Sequence, residues 1–319
     1  MRLTLILIFV DDDGMLKRLA IGSTTVVLLA LAACGSSSGS GGSDGGKIQV
    51  DAAFYPLQWI AEQVGGDQVE VSSLTPPGAE PHDLELTPRQ VAQLQESDLV
   101  VKLSGFQAAV DDAAGGGENV FDVADVVDLD LTTNAEHDGD GHDEGQAADP
   151  HFWLDPTMLA EVAPALAERF STIDPDHAAG YEQRADAVVE LLGGIDDDYA
   201  AGLASCDSKD LVTSHEAFGY LARQYGLEQI GINGLSPEQE PSPKRLAEVA
   251  DFVEEHGVTT IYFETLVPSD IARTVADETG AKTAVLDPIE GVTDESAGTD
   301  YPSIMASNLK ALEAGQSCS

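Results

Sequence analysis

One phrase occurs twice in this chain and constrains its fold more than any other feature: a proline-rich loop, a capped helix and an apolar strand. At residues 75–103, "TPPGAEPHDLEL" leads into "TPRQVAQLQES" and then "DLVVKLS". Thr87 stands at the N-cap, Pro88 at the first helical position, and Gln90 completes a capping box. At residues 235–264, "LSPEQEPSPKRLAEVADFVEEHGVTTIYFE" repeats the order, with Ser242 and Pro243 starting the helix. A continuous apolar strand suits a parallel sheet covered on both faces. Strand and helix also alternate in "KIQVDAAF", "YPLQWIAEQVGG" and "VEVSSL", and again in "DLVTSHEAFGYLARQYGL", whose helix presents Phe218, Leu221, Ala222 and Tyr225. The class is α/β, with two similar parallel-sheet lobes.

Between the two copies lies "DPDHAAGYEQRADAVVELLGGIDDDYAAGLAS", mostly strong helix formers after a proline start. It reads as a single long helix joining the lobes, roughly 40 Å at 1.5 Å per residue. Gly193-Gly194 in its middle is unfavourable for a helix and predicts a kink or break.

The N-terminus carries an export pattern. Lys17 and Arg18 precede an apolar run, Leu19 to Leu31, that is too short to span a bilayer comfortably. "LAAC", ending at Cys34, resembles a bacterial lipobox, whose cysteine is lipidated. The Gly/Ser stretch after it is a flexible tether. "MRLTLILIFVDDDG" fits neither part, which points to Met15 as the true start. The expected divisions are a signal peptide over 1–33, a tether over 34–46 and an N-terminal lobe over 47–172 with an acidic loop at 134–149. A linking helix over 173–203 and a C-terminal lobe over 204–319 complete them.

Net charge narrows the partners. Fifty-seven acids against fifteen Lys and Arg give −42. The residues before Cys34 hold three bases (Arg2, Lys17, Arg18) and three acids (Asp11, Asp12, Asp13), so their removal leaves this value unchanged. Such a surface repels phosphate backbones and anionic headgroups, which excludes nucleic acid. It serves solubility first, and it could also concentrate cations. The two remaining cysteines, Cys206 and Cys318, are an even pair in an exported protein and read as a disulfide. No CxxC spacing supports a cysteine metal site.

Seven histidines divide by setting. His177 and His256 lie on helix surfaces. His137 and His142 lie in the low-complexity run "NAEHDGDGHDEGQAAD", which can bind metal only weakly because it fixes no geometry. His82, His151 and His215 fall in strand-to-helix loops, where α/β lobes gather ligands. In this reading His215 opens a helix. Asp287, ending the apolar run in "AKTAVLDPIEG", is a fourth such position. Three imidazoles and one carboxylate suit tetrahedral Zn²⁺. Four protein ligands leave no open position for water, so the set indicates binding rather than hydrolysis. "HEAFG" begins like a zincin helix, but Gly219 stands where the second histidine belongs. GxSxG, P-loop and dinucleotide fingerprints are absent too.

"PPGAEPHDLELTPRQVAQLQESDLVV", "DPHFWLDP", "TSHEAFGYLARQYGL", "PSPKRLAEV" and "AVLDPIEG" together resemble the zinc/manganese solute-binding lipoproteins of ABC importers, the ZnuA-like or cluster A-I group. The resemblance runs from about Lys47 to the C-terminus. It implies a non-enzymatic, monomeric receptor, anchored by lipid to the outer face of the cytoplasmic membrane, at the cell surface or in the periplasm, that delivers metal to an ABC permease. It also implies a metal site in the cleft between lobes, with His82 and His151 from the first and His215 and Asp287 from the second. Manganese members of this group carry Glu at the position of His215, which favours Zn²⁺ over Mn²⁺. The group's zinc proteins often carry a His-rich acidic loop before the second ligand, as at 134–149. A Mn²⁺ or Fe²⁺ receptor and a metal-binding surface adhesin are the alternatives.

Overall fold

The computed structural model describes residues 46–132 and 148–319. Cys34, His137 and His142 lie outside the described residues, and Gly46–Ser319 form one compact unit. Its first half is a four-stranded sheet of β1 (Ile48–Ala52), β2 (Val69–Ser73), β3 (Leu99–Lys102) and β4 (Val120–Asp122). All pairs are parallel and the order is β2-β1-β3-β4. Helices α1 (Tyr55–Gly65), α2 (Pro88–Glu96) and α3 (Ala108–Ala114) are the crossovers. The Thr87 capping box on α2 is present, with the Gln90 N–H donating to Thr87 Oγ1 and the Thr87 N–H to Gln90 Oε1.

The second half repeats the plan. β5 (Asp210–Thr213), β6 (Glu228–Gly231), β7 (Thr260–Phe263) and β8 (Lys282–Val285) form a parallel sheet in the order β6-β5-β7-β8. The sheet runs through α6 (Gly219–Tyr225), α7 (Pro243–His256) and α8 (Asp270–Thr279), and α9 (Tyr301–Gly315) closes the chain. Matching strand order in the two sheets bears out the two similar lobes read from the repeated phrase.

Between the sheets, α4 (Pro156–Ile173) and α5 (Ala178–Gly202) pack together, joined by a single 3-10 turn over Pro175–His177. The segment read as a linking helix over 173–203 therefore contains α5, preceded by the end of α4 and that turn. The break expected at Gly193-Gly194 is absent, and α5 is continuous through both glycines. Its apolar stripe (Tyr181, Ala185, Val188, Leu192, Tyr199) is buried, and this packing outweighs the low helix propensity of two glycines.

One hydrophobic core reaches across both halves. Trp59 of α1 stacks on Tyr301 of α9 with ring centroids 4.9 Å apart, and Tyr199 of α5 donates to the Met305 carbonyl at 2.8 Å. A smaller core of Val212, Ile232, Val249, Val253, Ile261 and Val275 lies between the second sheet and its helices. Cys206 and Cys318 form a disulfide, as expected, tying the last residues to the start of the second half.

Candidate metal centre

Strand order in each sheet reverses direction at its first strand, and loops at the carboxyl ends of the strands converge there. His82 comes from the loop between β2 and α2, and His151 from the segment before α4. His215 lies in the loop after β5, four residues ahead of α6, so it does not open the helix as the sequence suggested. Glu290 comes from the loop after β8. The ligand atoms of these four lie within 4.8 Å of one another. Glu290 Oε1 is 3.3 Å from His82 Nε2, 3.2 Å from His151 Nε2 and 3.6 Å from His215 Nε2. The Nε2 atoms of His82 and His151 are 3.2 Å apart.

These spacings have a chemical meaning. A tetrahedral ion with bonds of about 2.0–2.1 Å holds its ligand atoms about 3.3 Å apart. His215 Nε2 and Glu290 Oε2 are buried and have no hydrogen-bond partner. Buried polar atoms without partners are costly unless something else satisfies them, and a cation between them would do so.

The other ring nitrogens are held. His151 Nδ1 donates to Asp149 Oδ1 at 2.7 Å, and His215 Nδ1 to Glu264 Oε1 at 2.7 Å. Glu264 also accepts from Ser214 Oγ at 2.8 Å. Each carboxylate sets the tautomer and aims Nε2 at the cluster, as outer partners of metal-binding histidines do. Asp149 is itself tightly seated: a Cβ added at Gly219 would lie 2.7 Å from its Oδ2. His82 is oriented differently, by an edge-on contact with Phe106 and by its backbone N–H, which donates to Glu80 Oε1 at 3.0 Å.

Charge follows from this packing. Burial works to push the His215 pKa down, but Glu264 and then Glu290 outweigh it and hold it well above the usual imidazole value. Burial opposes the same effect at His151, where Asp149 and Glu290 prevail and raise it. Burial lowers His82. Glu290 is held well below the carboxylate range, since the imidazoles of His151, His215 and His82 facing it overcome its burial. Glu80, buried and facing the Glu290 charge, is pushed up to about 9 and is therefore neutral near pH 7.

The structure brings together three of the four residues read from the sequence. The carboxylate meeting the imidazoles is Glu290, not Asp287. Asp287 is buried three residues earlier, accepting the Ile289 N–H at 2.8 Å with one oxygen and facing Thr265 Oγ1 at 3.4 Å with the other. Its backbone is clasped by Asn308 through bonds of 2.9 and 2.7 Å. Asp287 shapes the loop, and Glu290 reaches the cluster. The sequence held a signal for this, an acid three residues beyond Asp287, but nothing local distinguished the two.

Comparison with known proteins agrees with this site. Residues 50–315 match the family described as "Zinc-uptake complex component A periplasmic" (ZnuA). The chain is 38% identical over 297 residues to the high-affinity zinc uptake system protein ZnuA of Bacillus subtilis, covering 89% of this chain and 93% of that one. It is 34% identical to the zinc-binding lipoprotein AdcA of Streptococcus pneumoniae, covering 93% of this chain and 61% of AdcA. The Zn(II)-bound ZnuA-like domain of that AdcA superposes with a TM-score of 0.71 at 34% identity, covering 85% of this chain and 99% of the domain. The laminin-binding protein Lmb of Streptococcus agalactiae, described as a bifunctional protein with adhesin and metal transporting activity, superposes at 0.75 with 33% identity, covering 84% and 99%. The chain belongs to the ZnuA family of zinc-uptake solute-binding proteins.

Proposed function

We propose that this protein is an extracytoplasmic receptor that captures Zn²⁺ with His82, His151, His215 and Glu290 and delivers it to an ABC permease. The observation that carries the reading is the set of four ligand atoms within 4.8 Å of one another, with Glu290 Oε1 3.2–3.6 Å from all three imidazoles and two of the imidazoles locked by carboxylates. The protein binds rather than catalyses. Three imidazoles favour zinc over manganese, whose preferred ligands are harder oxygens. The lipobox-like Cys34 supports lipid anchoring to the outer face of the membrane, and mass spectrometry of the membrane-extracted protein reads that directly. Gathering of zinc by His137 and His142 belongs to the same proposal.

Metal analysis and calorimetry, with Zn²⁺ and Mn²⁺ in competition, test the core of this reading. One tight zinc per chain is expected, lost in His215→Ala. Tight stoichiometric binding that survives in H215A would remove His215 from the ligand set. Lmb's described adhesin activity gives the second reading its observation. A deletion strain growing normally in zinc-chelated medium would favour that reading over uptake.

A further inference from the structure

Ile289, between Asp287 and the ligand Glu290, has φ of +58° and is fully buried. A β-branched residue is a true outlier in the left-handed region, because its Cβ crowds the following carbonyl. Glycine or asparagine would sit there more easily. The contacts that impose the conformation come from both sides of the cluster. Trp153 Nε1, from the turn that follows His151, donates to the Pro288 carbonyl at 2.7 Å. Asp287 Oδ1 accepts the Ile289 N–H. One residue further on, Glu290 is drawn onto His82 and His151. Trp153 is fixed in turn, with its backbone carbonyl accepting from Tyr301 Oη at 2.6 Å and its ring centroid 4.9 Å from that of Phe54.

We infer that Ile289 is a positioning residue for metal release. Resting on the zinc-receptor reading, the inference assigns it a strained backbone that holds Glu290 on the metal and relaxes when the metal leaves. Glu290 is the one ligand delivered by a strained segment. Strain of this kind clusters at ligand clamps, where the surrounding contacts over-determine it. It opposes the bound state and favours dissociation, which is what a receptor that must surrender its cargo requires. Once Glu290 is off the ion, the tie on one side of Ile289 is gone, and the residue can return to extended or right-handed backbone.

The test compares variants that lose the isoleucine side chain with and without backbone relief. Zinc release into excess chelator is followed by stopped flow for I289A, I289G and I289N, with thermal melts to show that each is folded. I289A keeps the strain. I289G relieves it, and I289N relieves it without glycine's added chain freedom, so either one suffices for the comparison. Release from I289G or I289N about tenfold slower than from I289A is expected. Equal or faster release from the folded variants would overturn the role of Ile289 while leaving the receptor reading intact. Absence of one tight zinc in the wild-type protein would overturn that reading, and this inference with it.

Discussion

At the scale of single residues, the centre works through which atom of each side chain is left free. Asp149 and Glu264 occupy the Nδ1 positions, so Nε2 is the only ring nitrogen of His151 and His215 that faces the cluster. Gly219 is the least conspicuous part of this arrangement. It stands where a zincin would carry its second histidine, and the structure has no room there even for a methyl group. Gly219→Ala is expected to displace Asp149 and weaken zinc binding by about 10–100-fold, the usual cost of disturbing an outer partner. Glu290→Ala should cost more than that, and Asp287→Asn less than Glu290→Ala, as measured by chelator competition. Equal losses in the two acidic variants would return Asp287 to the ligand set.

The pH dependence also belongs to this scale. His151 and His215 are raised, so their protonated forms stabilise the fold fully below the ordinary imidazole value. That stabilisation is lost as pH rises through their folded values. Glu290 is depressed, and its contribution is present above the ordinary carboxylate value and lost as pH falls through the folded one. Zinc must displace the protons on His151 and His215. Affinity should therefore rise with pH by up to about tenfold per unit for each proton released, and keep rising above about pH 6.5. Calorimetry in buffers of different ionisation enthalpy reads the protons directly. No proton release at pH 7 would contradict the raised values.

Among the elements, α5 is where local preference and tertiary context disagree. Glycine disfavours a helix interior by about 1 kcal/mol relative to alanine, yet the helix runs through two of them. Both are exposed, and a Cβ at either position would meet nothing within 4 Å. The double variant G193A/G194A should raise unfolding free energy by about 2 kcal/mol, read by denaturant titration. Unchanged or reduced stability would show that the glycines give α5 freedom the folded protein uses. Helix starts were the best-read boundaries, because Thr87 and Ser242 cap through their own side chains and need no distant partner. The pattern assigns none of the helices α3, α4, α8 and α9. α3 has seven residues and one fully buried position, so its apolar repeat is too short to register.

For the molecule as a whole, the two halves share one core, and the second half is closed on itself by one covalent tie. The Cys206–Cys318 disulfide joins residues 112 apart in sequence, enclosing nearly the whole second half. By loop-closure entropy its removal in C206S/C318S should cost about 4–5 kcal/mol. Zinc added to the variant should recover part of this, since a ligand binding only the folded state stabilises it. A loss below about 1 kcal/mol would mean that the packing of α9 against α5 and α1 already holds the C-terminus.

The sequence by itself determined the α/β class, the doubled plan, the capped helices, the cysteine pair and three of the four residues at the centre. These are local statements: periodicity, cap chemistry and residues placed in strand-to-helix loops are legible wherever the chain goes. Only the tertiary structure decided that Glu290 rather than Asp287 meets His82, His151 and His215, and that Asp149 and Glu264 orient two of the rings. The first depends on the path of a loop through the left-handed backbone of Ile289, the second on how Asp149 turns back onto His151 two residues away and on Glu264 reaching His215 across 49 residues of sequence. Two acids three residues apart in a loop are equivalent until the fold fixes which of them faces the imidazoles.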